Sequence, residues 1–169
     1  MKRLMQYIGL FVLIVAIQVL ILNNVNVNGF GTPLVYVGLI IALPYALNRS
    51  VKLLVGFLLG AVIDLSVGCA GVHAAATTAA SMAYVLSADF FMPKEDKRLY
   101  ALMTPSPMSM GWGQFVRFAL VVVLVHHTVL YAVEAMSLAH VLFLIIRIVL
   151  SGVTTMALIL VTEYYISRR

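Results

Sequence analysis

Apolar runs separated by short polar breaks divide the chain into six candidate membrane spans, at residues 4–22, 33–47, 51–67, 72–91, 115–135 and 138–166. A helix that crosses a bilayer needs about 20 apolar residues, with a range of roughly 17–25. The second and third runs are short, which predicts tilted, broken or partly inserted elements. The last is long enough to run into the interface. Lys2 and Arg3 ahead of the first run imitate a secretory leader, yet Ile21-Leu22-Asn23-Asn24 offers no small-x-small cleavage site, so this run is expected to be a retained anchor.

Two breaks have a character of their own. Residues 23–32 form a polar, glycine-containing turn that Pro33 ends, a good opening residue for a helix. The longest break, residues 92–113, carries Lys94-Glu-Asp-Lys-Arg98, then Pro105, Pro107 and Trp112. It reads as a solvated connector with topogenic charge, or as a short surface helix that touches headgroups or a partner.

Polar groups inside the spans follow helical spacing. Gly56, Gly60, Asp64 and Gly68 recur every four residues, on one face of the third span. Small residues at that spacing let a second helix approach closely, so the face reads as a packing seam with a carboxylate in it. A charge at the centre of a spanning helix costs roughly 2.5–3.5 kcal/mol on insertion scales, so Asp64 needs a partner. Arg147 is the basic residue deepest within a span, about seven residues or roughly 10 Å from its outer end. Asp64 lies some twelve residues, roughly 18 Å, beyond Lys52. In a hydrocarbon core of about 30 Å the depths nearly match, and a buried Asp64–Arg147 pair is expected.

Other stripes lie at similar depth. His127, Tyr131 and Glu134 share a face of the fifth span, with His126 turned about 100° towards a neighbour. His140, Arg147, Ser151 and Thr154 line the sixth, and His73, Thr77, Ser81 and Tyr84 the fourth. These stripes form either a hydrogen-bond network that holds the bundle or a small outward cavity for a ligand or partner helix.

Composition and charge sharpen this picture. The chain has 169 residues, 63% hydrophobic and 10% charged, with mean hydropathy +1.08; a soluble domain would carry about 25% charged residues. The net charge is +5. Six spans with an inner N-terminus place Lys2, Arg3, Arg49, Lys52, Lys94, Lys97, Arg98, Arg117, Arg168 and Arg169 inside, ten of the eleven Lys and Arg. The positive charge is thus a topology signal with both termini cytoplasmic, and nucleic acid is not an expected partner. Cys69 is alone, which excludes an intramolecular disulfide.

Several chemistries drop out. HExxH, Gly-x-Ser-x-Gly, P-loop and GxGxxG patterns are absent, and no serine has the context of a rhomboid-like dyad. The His126-His127 doublet points its rings to different faces, a poor metal geometry. No catalytic, cofactor or metal site is expected, and an enzyme is not the expected reading.

Gly60-Ala-Val-Ile-Asp64-Leu-Ser-Val-Gly68-Cys-Ala-Gly71-Val-His73-Ala74 resembles the signature of the bacterial rod shape-determining MreD family: glycine, an apolar stretch, aspartate, then glycines before a small-residue helix. His126-His127-Thr-Val-Leu-Tyr-Ala-Val-Glu134, with Arg147 and Ser151, is similar to the fifth and sixth helices of some branches. The resemblance implies an all-α integral membrane protein, a six-helix bundle similar to the substrate-binding S-components of energy-coupling-factor transporters. It implies a non-enzymatic, multi-pass component of the bacterial inner membrane that binds MreC and helps position lateral peptidoglycan synthesis. RodA with its penicillin-binding transpeptidase, and the MreB filament, are further implied partners; self-association stays open. The partner-binding candidates are Asp64, Arg147, His73, His126, His127, Glu134, Gly56, Gly60, Gly68 and Gly71. An alternative is an S-component-like small-molecule transporter subunit, whose run Ala74-Ala-Ala-Thr-Thr-Ala-Ala80 would dock a coupling subunit. A third reading is a proton conductor that uses Asp64, His126, His127 and Glu134.

Overall fold

The computed structural model describes residues 2–25, 31–91, 103–135 and 141–168. Every regular element among them is a helix: α1 (Lys2–Leu20) with a 3-10 turn at Leu22–Asn24, α2 (Val37–Ile41), α3 (Arg49–Val67), α4 (Val72–Phe91), α5 (Pro107–Met110), α6 (Trp112–Ala135) and α7 (Val141–Ser167). Three of these, α3, α6 and α7, are long and apolar enough to cross a membrane. Much of their surface is apolar and outward: Leu65, Leu142 and Val153 are exposed, as suits side chains in contact with lipid.

Helix ends follow local chemistry. Asn48 caps α3, its side chain accepting from the Ser50 amide at 3.2 Å. Gly68 ends that helix in the left-handed region, φ 72°, where a side chain is disfavoured. Ser106 and Ser109 cap α5 reciprocally, with Pro107 in the first turn.

Consecutive long helices run antiparallel. On α3, Gly56 faces Thr77 and Ser81 of α4, and Gly60 faces the His73 carbonyl and Ala74. A methyl group at Gly60 would collide with α4 backbone, so glycine sets how closely these helices approach. Tyr84 and Phe118 meet edge to face between α4 and α6, ring centroids 5.2 Å apart. Arg49, Lys52, Arg117 and Arg168 therefore gather at one end of the bundle, and Arg147 stands towards the other. At the basic end Trp112 packs on Tyr164, which carries the Arg168 guanidinium over its ring at 4.4 Å.

The second expected span, 33–47, differs most. Only the five residues of α2 are helical. Around them the chain threads the bundle as a strap, with Tyr36 beside His73, the Leu43 carbonyl accepting from the Tyr84 hydroxyl, and Tyr45 bonded to Asp89. His73 and Asp89 are sixteen residues apart on α4, about 24 Å of helix, so the strap traverses most of the bundle. Pro44 explains why the helix stops, since it disfavours helical geometry in the residue before it. Non-helical backbone at this depth must be satisfied by protein. Thr32 N donates to Ser151 Oγ at 3.1 Å, Leu34 N to Thr155 Oγ1 at 2.8 Å and Val35 N to Gln18 Oε1 at 2.8 Å. Leu34, Tyr36, Val37, Ile40 and Ile41 form part of the core.

Of the long break, residues 92–102 lie outside the described residues; in the remainder, Pro105, Pro107 and Met110 are buried, so the segment tucks under the basic end.

Candidate functional site

The turn from α3 to α4 shows what the aspartate does. Asp64 is buried, 5% exposed, and its carboxylate accepts from two backbone amides of α4, His73 N at 3.0 Å and Ala74 N at 2.8 Å. These are among the first amides of α4, which have no partner within their own helix, and the partial positive charge there suits a carboxylate. The Asp64 carbonyl in turn accepts from Gly68 N and from Cys69 N, the latter at 3.0 Å. One residue thus closes α3 and opens α4.

This corrects the expected Asp64–Arg147 pair. Arg147 instead pairs with Glu134, Nη2 to Oε1 at 3.1 Å, and its guanidinium lies 4.3 Å from the centre of the Tyr131 ring. The depth match was real but said nothing about azimuth. The four-residue seam is corrected too. Gly56 and Gly60 lie in the α3–α4 contact, whereas Gly68 and Gly71 have open space around them and positive φ, 72° and 84°. The latter pair shape the turn and pack against nothing.

The α6 stripe meets α7 rung by rung. His127 Nε2 lies 3.2 Å from Thr155 Oγ1, Tyr131 Oη 2.5 Å from Ser151 Oγ, and Glu134 pairs with Arg147. Thr155 takes the rung expected of Thr154, whose hydroxyl donates back to its own helix at Leu150 and Ser151. His140 lies outside the described residues.

His126 does turn to a neighbour, one the sequence did not suggest. Its Nε2 sits 3.1 Å from the Tyr36 hydroxyl, which sits 2.7 Å from His73 Nδ1. Tyr36 is fully buried and links the strap to α4 and α6. The α4 stripe divides: His73 meets Tyr36, Thr77 and Ser81 cover the α3 glycines, and Tyr84 bonds Leu43 O.

Sequence reasoning missed Tyr36, Gln18 and Thr155. Gln18 is buried and its amide donates to Asn23 Oδ1 and Pro33 O, tying α1 to the strap. A glutamine twelve residues beyond Gln6, deep in the apolar run 4–22, was the available signal, since a polar side chain there needs partners. Lys52 is likewise buried, with Nζ donating to Tyr45 O at 2.8 Å and lying 4.5 Å from the centre of the Tyr84 ring.

These networks surround a cavity of about 270 Å³ at the end opposite the basic residues, lined by Asn23, Thr32, Cys69, His73, Glu134 and Arg147 among others. The sequence left an interhelical network and an outward cavity as alternatives; the described residues form both a network and a cavity at the end away from Arg49, Lys52, Arg117 and Arg168. The turn also brings Asp64, Cys69 and His73 together, one ligand-type atom of each within 4.8 Å of the others. The sequence predicts no metal site, on the absence of HExxH and the divergent rings of His126 and His127, and Cys69 enters that reading only as a residue without a disulfide partner. Comparison with known proteins gives no match to this chain, whether among protein-family models, curated proteins or solved structures.

Proposed function

We propose that this chain is a non-enzymatic scaffold of the bacterial inner membrane, a six-span component of the cell-elongation machinery similar to MreD proteins, which binds an MreC-like single-span partner. The supporting observation is how the intramembrane polar groups are used. Asp64 bonds backbone amides, His127 bonds Thr155, and Glu134 bonds Arg147, so each joins one element to another. Groups so engaged suit a rigid platform. The rim of the cavity, where Glu134 is half-exposed beside Arg147, offers the charged contact for a partner.

The test is affinity purification from native membranes in mild detergent. The proposal expects an MreC-like protein to co-purify with the wild type and to be depleted by Arg147→Ala, with Ser87→Ala as a control at the far end. Recovery of the chain alone would overturn it.

The cavity also favours a second reading, a small-molecule subunit similar to S-components. Against it, Ala74, Ala76, Thr77 and Ala80 of the small-residue run are buried inside the bundle, which removes most of the surface that would dock a coupling subunit. A small molecule released from the purified protein on denaturation would favour this reading. The proton-conductor reading draws less support, since His126, His127 and Glu134 each bond a different neighbour.

A further inference from the structure

The geometry points to a binding site for a thiophilic divalent cation of the zinc type, held by Asp64, Cys69 and His73 where the α3–α4 turn meets the cavity. This inference stands apart from the scaffold reading and survives its failure.

Three ligand types converge there from ten residues of chain, with their donor atoms within 4.8 Å of one another. A thiolate, an imidazole and a carboxylate form a set that favours zinc-like ions over magnesium or calcium, which prefer oxygen alone. Around a tetrahedral zinc, bond lengths of about 2.0–2.3 Å place ligand atoms roughly 3.3–3.8 Å apart. The cluster therefore needs a closing movement of about 1 Å. Cys69 can supply it: its side chain is exposed, and Gly68 and Gly71 on either side have positive φ and open space around them.

The partners of each ligand fit the same reading. Asp64 uses one bond per oxygen on α4 amides, which leaves lone pairs, since a carboxylate offers about four acceptor positions. Its bonds are to neutral amides, and among the described residues no cation pairs with it; a divalent ion with one carboxylate and one thiolate would be neutral overall. Tyr36 holds His73 Nδ1 at 2.7 Å and is itself held by His126, which leaves Nε2 as the ligand nitrogen. Zinc-binding histidines are characteristically oriented in this way through the second ring nitrogen. Cys69 and His73 both line the cavity, from which a water would complete four-coordination.

The test is a titration of tag-free, full-length protein in detergent with Co²⁺, followed by displacement with Zn²⁺. One equivalent of Co²⁺ should produce a thiolate-to-cobalt charge-transfer band and the visible bands of a tetrahedral ion, and Zn²⁺ should abolish both. Cys69 is the single cysteine, so Cys69→Ser should remove the charge-transfer band. His73→Gln should weaken Co²⁺ binding by more than tenfold, and Tyr36→Phe, which only orients the ring, by about 10–100-fold. Zn²⁺ should also slow alkylation of Cys69 in the wild type. Absence of the band at stoichiometric Co²⁺ would overturn the proposal, as would a band equally strong in His73→Gln, the sign of a thiol binding cobalt alone. Cys69 takes part in the end of α3 through its backbone amide alone, so the unfolding midpoint of Cys69→Ser without metal should equal that of the wild type, and its loss of binding reports the ligand alone.

Discussion

Asp64 illustrates how a single side chain can look like half an ion pair from its position and act as a cap in the fold. Its two amide partners lie in the first turn of α4, the Ala74 bond buried and the His73 bond partly so, and a buried donor left unpaired costs about 1–3 kcal/mol. Asp64→Ala leaves both without a partner and should lower the detergent unfolding midpoint markedly; Asp64→Asn, which keeps a carbonyl oxygen, should cost about half as much. The same experiment separates the observed pairing from the expected one. If Asp64 and Arg147 share no interaction, the Asp64→Asn and Arg147→Ala losses should add to within about 0.3–0.5 kcal/mol in the double variant. Strong non-additivity would restore the ion pair that the depth arithmetic had suggested. That arithmetic located both charges correctly along their helices. It could not see that Glu134, seven residues after His127, reaches Arg147 first, because angular position around a helix is set by packing between helices and not by the hydrophobic run itself.

At the scale of elements, the long helices were legible, and the shortness of the run 33–47 pointed to a broken element, but not to the groups that hold it. The run 72–91 coincides with α4, and 51–67 with all but the first two residues of α3, because apolar length and flanking polar residues are the physical determinants of such helices. The run 33–47 has the same apolar character but is held by groups distant in sequence: Gln18 and Thr155 satisfy its Val35 and Leu34 amides, and Ser151 that of Thr32 just ahead of it, which removes the need for helix there. Thr155→Val keeps the shape but takes the acceptor from Leu34 N and the partner from His127 Nε2. Amide hydrogen exchange in the strap should rise in this variant while exchange in the middle of α3 stays unchanged. Of the α3 glycines, Gly60→Ala should cost about 1–3 kcal/mol, because it drives a methyl into α4 backbone. Gly68→Ala should cost nearer 1 kcal/mol, from the left-handed backbone alone. Equal losses at the two positions would mean that the seam is less tightly packed than these contacts imply.

For the whole molecule, the decisive quantity is the asymmetry between the two ends. Arg49, Lys52, Arg117 and Arg168 gather at one end with Trp112 and Tyr164, and the cavity with Cys69 and Glu134 lies at the other. Basic residues remain on the cytoplasmic side of spanning helices, so the cavity should open to the opposite side. The native thiol makes this measurable, because Cys69 is exposed at the cavity end. A membrane-impermeant maleimide should label wild-type Cys69 in cells whose outer barrier is permeabilised and the inner membrane intact, and should fail to do so in sealed inside-out vesicles. In a Cys69→Ser background, Met108→Cys on the exposed face of α5 should show the reverse pattern. Both thiols labelled from one side would place the two ends of the bundle on the same face of the membrane, an arrangement that antiparallel helices of this length do not allow. Cys69 labelled only in inside-out vesicles, with Met108→Cys labelled only in cells, would turn the bundle over, and with it the side from which any partner reaches Glu134 and Arg147.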